Sequence, residues 1–200
     1  MSRFIMLKII FFFIFFYYNK SVNIILWRLI FVKEISILFT RYTDNLSKLV
    51  YWVSGRKYTH VSISLDNNNE YFYSFNKKRF RKEFPSKHKT RAKEAVCYII
   101  KVTEEAYEKL KKIIEDFIER KEQLKYNLFG LILCIFGIPL FLETRFFCSS
   151  FVAFALEAAG ILILTKNAAK YFPNALQKEI DSQVFLIHRI ENPDFLRRNS

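Results

Sequence analysis

The stretch "RFFCSSFVAFALEAAG", residues 145–160, decides how this chain is read. From Cys148 onward it has a helical pattern, with Phe151, Val152, Ala155 and Leu156 along one side and Gly160 placed as a stop. Cys148 therefore stands in the first turn of the predicted helix. Two readings of it are open. Flanked by Phe146, Phe147 and Phe151, it suits a buried core thiol, since free cysteine behaves as a small hydrophobe. Yet a first helical turn carries unpaired N–H groups and partial positive charge, the setting that turns a thiol into a nucleophile.

A nucleophilic thiol needs a base, and the chain has three histidines. His88 falls in a basic stretch and is expected to be exposed. His188 sits among apolar neighbours in a strand-like run, "QVFLIHRI". His60 lies in "YTHVSISLD", residues 58–66, which alternates and is rich in β-branched residues. Such a strand puts His60, Ser62 and Ser64 on one face and Val61, Ile63 and Leu65 on the other. Turn residues "NNN" and a second strand, "EYFYSF" (70–75), complete a predicted hairpin. Among small hydroxyl residues, the His60 ring can face a cleft. A strand histidine set against a cysteine at a helix N-terminus is a layout for nucleophilic catalysis.

The remaining chain supplies a scaffold of α+β type. Residues 24–39 hold a strand expected to end near Ser36. Asp44 is placed as an N-cap for a helix with the stripe Leu46, Leu49, Val50 and Val53, stopped by Gly55. "AVCYIIKV" (95–102) reads as a strand. Residues 103–123 form the clearest helix, capped by Thr103, with Glu104 and Glu105 suiting its positive end. Its buried stripe is Ala106, Leu110, Ile113, Ile114, Phe117 and Ile118. "YNLFGLILCIFGIPL" (126–140) is apolar all round and is expected to be a buried helix or one wall of an apolar groove. A short helix and a loop follow in residues 166–180.

At 200 residues with 52% hydrophobic content, the chain fits one domain with a substantial core, spanning residues 24–192. Four Gly and four Pro exclude a fibrous or low-complexity chain. Residues 1–20 are a separate apolar segment. The run 4–18 is interrupted by Lys8 and is shorter than the ~20 residues that span a bilayer. It reads as a marginal anchor, a signal-like segment, a buried helix or an extension. Localisation is accordingly open between cytoplasmic and membrane-associated. The formal charge is +13, and residues 77–93, "KKRFRKEFPSKHKTRAK", hold nine Lys/Arg against one Glu. This is a solvated loop, or a patch for an anionic membrane surface. No helix-turn-helix or zinc pattern surrounds it, which argues against specific nucleic-acid binding. Cys97, Cys134 and Cys148 fit neither a zinc motif nor a disulfide framework, and Cys97 and Cys134 read as core residues.

Taken together, "YTHVSISLD…EYFYSF" and, about ninety residues on, "FFCSSFVAFALEAAGI" resemble the permuted NlpC/P60 group of papain-like enzymes. In that group the histidine strand precedes the cysteine helix, an order shared with lecithin:retinol acyltransferase-like proteins. The resemblance implies a permuted papain-like fold, with an antiparallel sheet packed on helices and the cysteine at a helix N-terminus. It also implies a monomeric cysteine peptidase- or amidase-like hydrolase that needs no metal or cofactor. Cys148 would be the nucleophile and His60 the general base. A third polar group on the next strand would orient the ring, and Ser74 and Glu70 are the candidates there. Tyr58, on the face of His60, and Ser149, beside the nucleophile, would line the substrate site; Ser149 alternatively caps the helix. Thiolate attack on an amide, ester or thioester carbonyl of a peptide or lipid-linked substrate would leave an acyl group on Cys148. His60 would protonate the leaving group and then activate water or another acceptor. The alternatives are a lipid acyltransferase, or a membrane-associated scaffold with an inactive site.

Overall fold

In a computed structural model of the chain, the described residues are 31–196 apart from 56, 87, 89–91, 139, 141 and 184–186. The apolar segment 4–18 lies outside them. The architecture is α+β. Strands β1 (Phe31–Arg41), β2 (His60–Ser64), β3 (Phe72–Phe75), β4 (Phe80–Glu83), β5 (Glu94–Thr103) and β8 (Ile187–Glu191) form one sheet in the order β4–β3–β2–β1–β5–β8. All its neighbouring strands are antiparallel. The helices are α1 (Asn45–Val53), α2 (Glu104–Glu119), α3 (Leu128–Ile135), α4 (Cys148–Ala158) and α5 (Pro173–Gln183).

β1 is the axis of the sheet. It does not end near Ser36, as expected from sequence, but runs to Arg41. Both of its edges are paired, Thr40 with His60 on β2 and with Ala95 on β5. Ile35, Ile37 and Phe39 alternate onto a buried face, so continuing the strand both satisfies its backbone and buries apolar surface. Against that face pack α2 and α4. The Asp44 and Thr103 caps form as expected, accepting from the N–H groups of Ser47 and Ala106. Gly160 follows α4 at φ +75°, the left-handed geometry that stops a helix at little cost in glycine.

A phenylalanine cluster joins β4 to the cysteine helix. The Phe151 ring on α4 lies 5.1 Å from Phe80 on β4, 5.0 Å from Phe117 on α2 and 5.7 Å from Phe75 on β3, centroid to centroid. Phe151 follows Cys148 by one helical turn, and Phe80 precedes Glu83 by three residues. The cluster thus fixes Cys148 and Glu83 relative to each other. Phe151 is fully buried, and truncation of such a ring leaves a cavity as well as losing transfer energy. Phe151→Ala should therefore cost about 3–5 kcal/mol of stability, read as a fall in denaturant midpoint at unchanged slope.

Two sequence expectations are corrected. Residues 77–93 are not simply a solvated loop: β4 runs within them, burying Phe80 and Glu83 while Arg81 and Lys82 face solvent, and His88 is fully buried beyond it. The apolar stretch 126–140 is not a buried helix throughout. It folds as β6 (Lys125–Tyr126), paired in parallel with β7 (Arg145–Phe146), and then the short helix α3. α3 buries Leu131 and Cys134 against Val50 and Phe147, while Leu128, Phe129, Ile132 and the following Phe136 are exposed. Eight residues cannot turn an all-round apolar surface inward. Among the described residues no helix is long and apolar enough to cross a membrane.

Candidate active site

Cys148 is the first residue of α4. The helix is capped by a side chain from its own first turn. Ser150 Oγ accepts from the Phe147 N–H at 3.0 Å and donates to the Phe147 carbonyl at 2.9 Å. The first-turn N–H groups have no acceptor within a helix, so those beside Cys148 can serve an anion formed on a bound substrate. The expected cap role thus belongs to Ser150. Ser149 is fully buried and its hydroxyl lacks a hydrogen-bond partner among the described residues.

His60 opens β2, at the end of the strand nearest the N-terminus of α4. Its Nε2 lies 2.8 Å from Glu83 Oε2, and its ring lines the same cleft as the Cys148 side chain. With Nε2 committed to Glu83, the nitrogen left for the sulfur is Nδ1. Burial pushes the imidazole pKa down, but the Glu83 carboxylate and Cys148 outweigh it and raise His60 to about 9. Burial drives Cys97 up to about 12 against a hydrogen bond from Ser36, and burial also raises Cys134. Those two are core residues, as expected.

The ring-orienting group is corrected from Ser74 or Glu70 to Glu83, one strand further along. The Ser74 hydroxyl is spent on the backbone, donating to the Val61 carbonyl at 2.6 Å. Glu70 lies exposed before β3, its N–H bonded to Asp66. Register explains the substitution: Phe72 pairs with Glu83 and Ser74 with Arg81, so Glu83 shares its sheet face with Phe72, Ser74, Ser62 and His60. Tyr58 is corrected too. It is a core ring, 5.8 Å from Phe39, and does not line the cleft. The signal for Glu83 was present as the single acid in a run of cations, but only strand pairing gives it a position.

A cleft of about 280 Å³ opens over Cys148 and His60. Leu46, Val50, Phe75 and Tyr126 give it apolar wall, and Lys77, Lys78 and Arg81 give it a cationic side. Asp44 is its one acid and is bonded to Lys77 at 2.6 Å. Burial pushes the Asp44 carboxyl up, but Lys77 and Ser47 hold it below its usual value. Burial, with Cys148 adding, raises the Tyr126 hydroxyl well above its ordinary range, so it stays an O–H donor beside the sulfur. Tyr126 was not singled out in the sequence. Its place follows from β6, where it pairs with Phe146, two residues before Cys148. Among the described residues no cluster of His, Cys, Asp and Glu is arranged to hold a metal. No protein-family profile matches this chain, and no curated protein matches it. The functional reading accordingly rests on this geometry.

Proposed function

We propose that the chain is a thiol hydrolase with a permuted papain-like fold, acting on amide or ester bonds through an acyl-Cys148 intermediate. The single observation that carries this reading is the His60 ring, bonded to Glu83, lining the same cleft as Cys148 at the first turn of α4. Nucleophile, base and orienting carboxylate stand in the order that acyl transfer requires. Cys148 Sγ attacks the carbonyl carbon, and the oxyanion faces the first-turn N–H groups of α4 and the Tyr126 hydroxyl. His60 protonates the leaving group as the C–N or C–O bond breaks. It then takes a proton from water, whose oxygen attacks the acyl carbon and frees Cys148.

The cationic side of the cleft favours an acyl substrate carrying a carboxylate or phosphate. The exposed Leu128, Phe129, Ile132 and Phe136, next in sequence to Tyr126, favour the lipid-linked class, presented at an anionic membrane surface. Product analysis tests the reading. Wild-type protein should release fatty acid or lysolipid from anionic phospholipid vesicles, or cleave a cell-wall-type peptide, and Cys148→Ala should do neither. Release by Cys148→Ala at the wild-type rate would contradict the acyl-Cys148 mechanism, and wild-type protein inert on both substrates would favour a scaffold with an inactive site. Transfer of the acyl group to an added amine in preference to water would identify the acyltransferase variant of the same chemistry.

A further inference from the structure

The thiol chemistry makes no use of the outer face of α3. No charged residue occurs between Lys125 and Glu143. The helix turns Gly130, Leu131 and Cys134 inward. On its other side Leu128, Phe129 and Ile132 are exposed, and Phe136, which ends the helix, is 74% exposed. Positions i, i+1, i+4 and i+8 fall within about 100° of arc on a helix, so these four side chains form one stripe. Ile138 extends the apolar surface beyond it. Six of the eleven large apolar side chains exposed among the described residues fall in residues 128–142. A contiguous patch of this kind on a water-facing surface marks an interaction site. It also adjoins the cleft. Leu131 and Cys134 pack on Val50 of α1, and Val50 lines the cleft together with Tyr126, two residues before Leu128.

We propose that the outer stripe of α3 is a docking surface for an anionic phospholipid bilayer, which it enters at the boundary between headgroups and acyl chains. What the docked protein then acts on rests on the thiol-hydrolase reading above; the docking itself does not. Length and charge select the occupant. The eight residues of α3 span about 12 Å, which suits a helix lying in the interface and is far too short for one crossing it. A second copy of the chain carries the same formal charge of +13 and is repelled by it. An anionic surface is attracted instead, and Lys77, Lys78 and Arg81 along the cleft add to that attraction locally. An acyl substrate drawn from such a bilayer can lay its chain on Leu46 and Val50 and its headgroup anion at Lys78 and Arg81.

The experiment sediments the full chain with phosphatidylcholine vesicles, with and without phosphatidylserine, and follows hydrolysis of a soluble p-nitrophenyl ester by the same samples. Wild type and Cys148→Ala should partition about tenfold or more in favour of the vesicles that contain phosphatidylserine, and raised salt should weaken that binding. The double variant Phe129→Ser, Phe136→Ser should lower partition by about tenfold or more. Its ester rate and circular dichroism should be unchanged, because both side chains are exposed. Vesicle binding that the double variant does not weaken, whether residues 1–20 or the basic stretch carries it, overturns the inference. Self-association of wild type that the double variant abolishes, without vesicle binding, overturns it as well and assigns the stripe to a second copy. Ester hydrolysis by a wild type that binds no vesicles overturns the docking alone. Vesicle binding lost in the double variant, with no ester hydrolysis by wild type, supports the docking and counts against the thiol-hydrolase reading.

Discussion

His60→Ala should lower kcat/KM by about 10²- to 10⁴-fold, the range that a positioned acid–base group contributes. The ring has two tasks in the geometry above, taking the thiol proton and returning one to the leaving group, and no neighbour can replace it. His88 does not line the cleft, and burial raises the Tyr126 hydroxyl well above its ordinary range. Folding should survive, because His60 stands at a strand end and the core face of β2 is carried by Val61 and Ile63. Steady-state kinetics with circular dichroism on the same samples checks both halves. A loss below tenfold in folded protein would mean that Cys148 does not depend on His60.

Glu83→Gln should change the pH profile more than any other substitution at the site. It keeps the shape of the side chain and removes its charge. Burial, which lowers the His60 pKa, remains, and the attraction that overcomes it is lost. His60 should then fall from about 9 to the ordinary histidine value of ~6.5 or below. The basic limb of kcat/KM moves down with it, and the rate at pH 8 drops on the order of 10²-fold, within the acid–base range. Stability follows the same linkage. A histidine whose pKa is raised by folding stabilises the fold fully below its unfolded value, ~6.5, and that contribution is lost as pH rises through about 9. Wild-type protein should lose stability over that window and Glu83→Gln should not. Equal slopes of denaturant midpoint against pH in the two proteins would contradict the charge interaction.

Much of this scaffold was legible in the chain. The helix from Cys148 to the stop at Gly160, the His60 strand and the Thr103-capped helix all carry strong local signals, namely periodicity, a cap and a breaker. The extent of β1 was less so, since its last turns of alternation gain meaning only when both edges are paired. Glu83 and His88 were hidden for a different reason. Nine cations in seventeen residues read as solvent-facing; Glu83 stands out there only as the single acid, and nothing local shows that it or His88 turns inward. The position of Glu83 is set by the register of β3 on β4, a long-range property that composition does not encode. Ser74 drew attention because alternation put it on the right face. Alternation does not show that its hydroxyl is bonded to the Val61 carbonyl. Tyr126 was read as part of an apolar helix, whereas the chain there makes a two-residue strand beside the cysteine segment before turning helical.

The central claim is that Cys148 becomes acylated with His60 as its base. Intact-mass and peptide mass spectrometry after rapid mixing with a p-nitrophenyl ester measures this directly. One acyl group per chain is expected on the peptide containing Cys148, none there in Cys148→Ala, and strongly slowed formation in His60→Ala. Acylation that falls instead on Cys97 or Cys134, or that forms on Cys148 equally fast without His60, would contradict it.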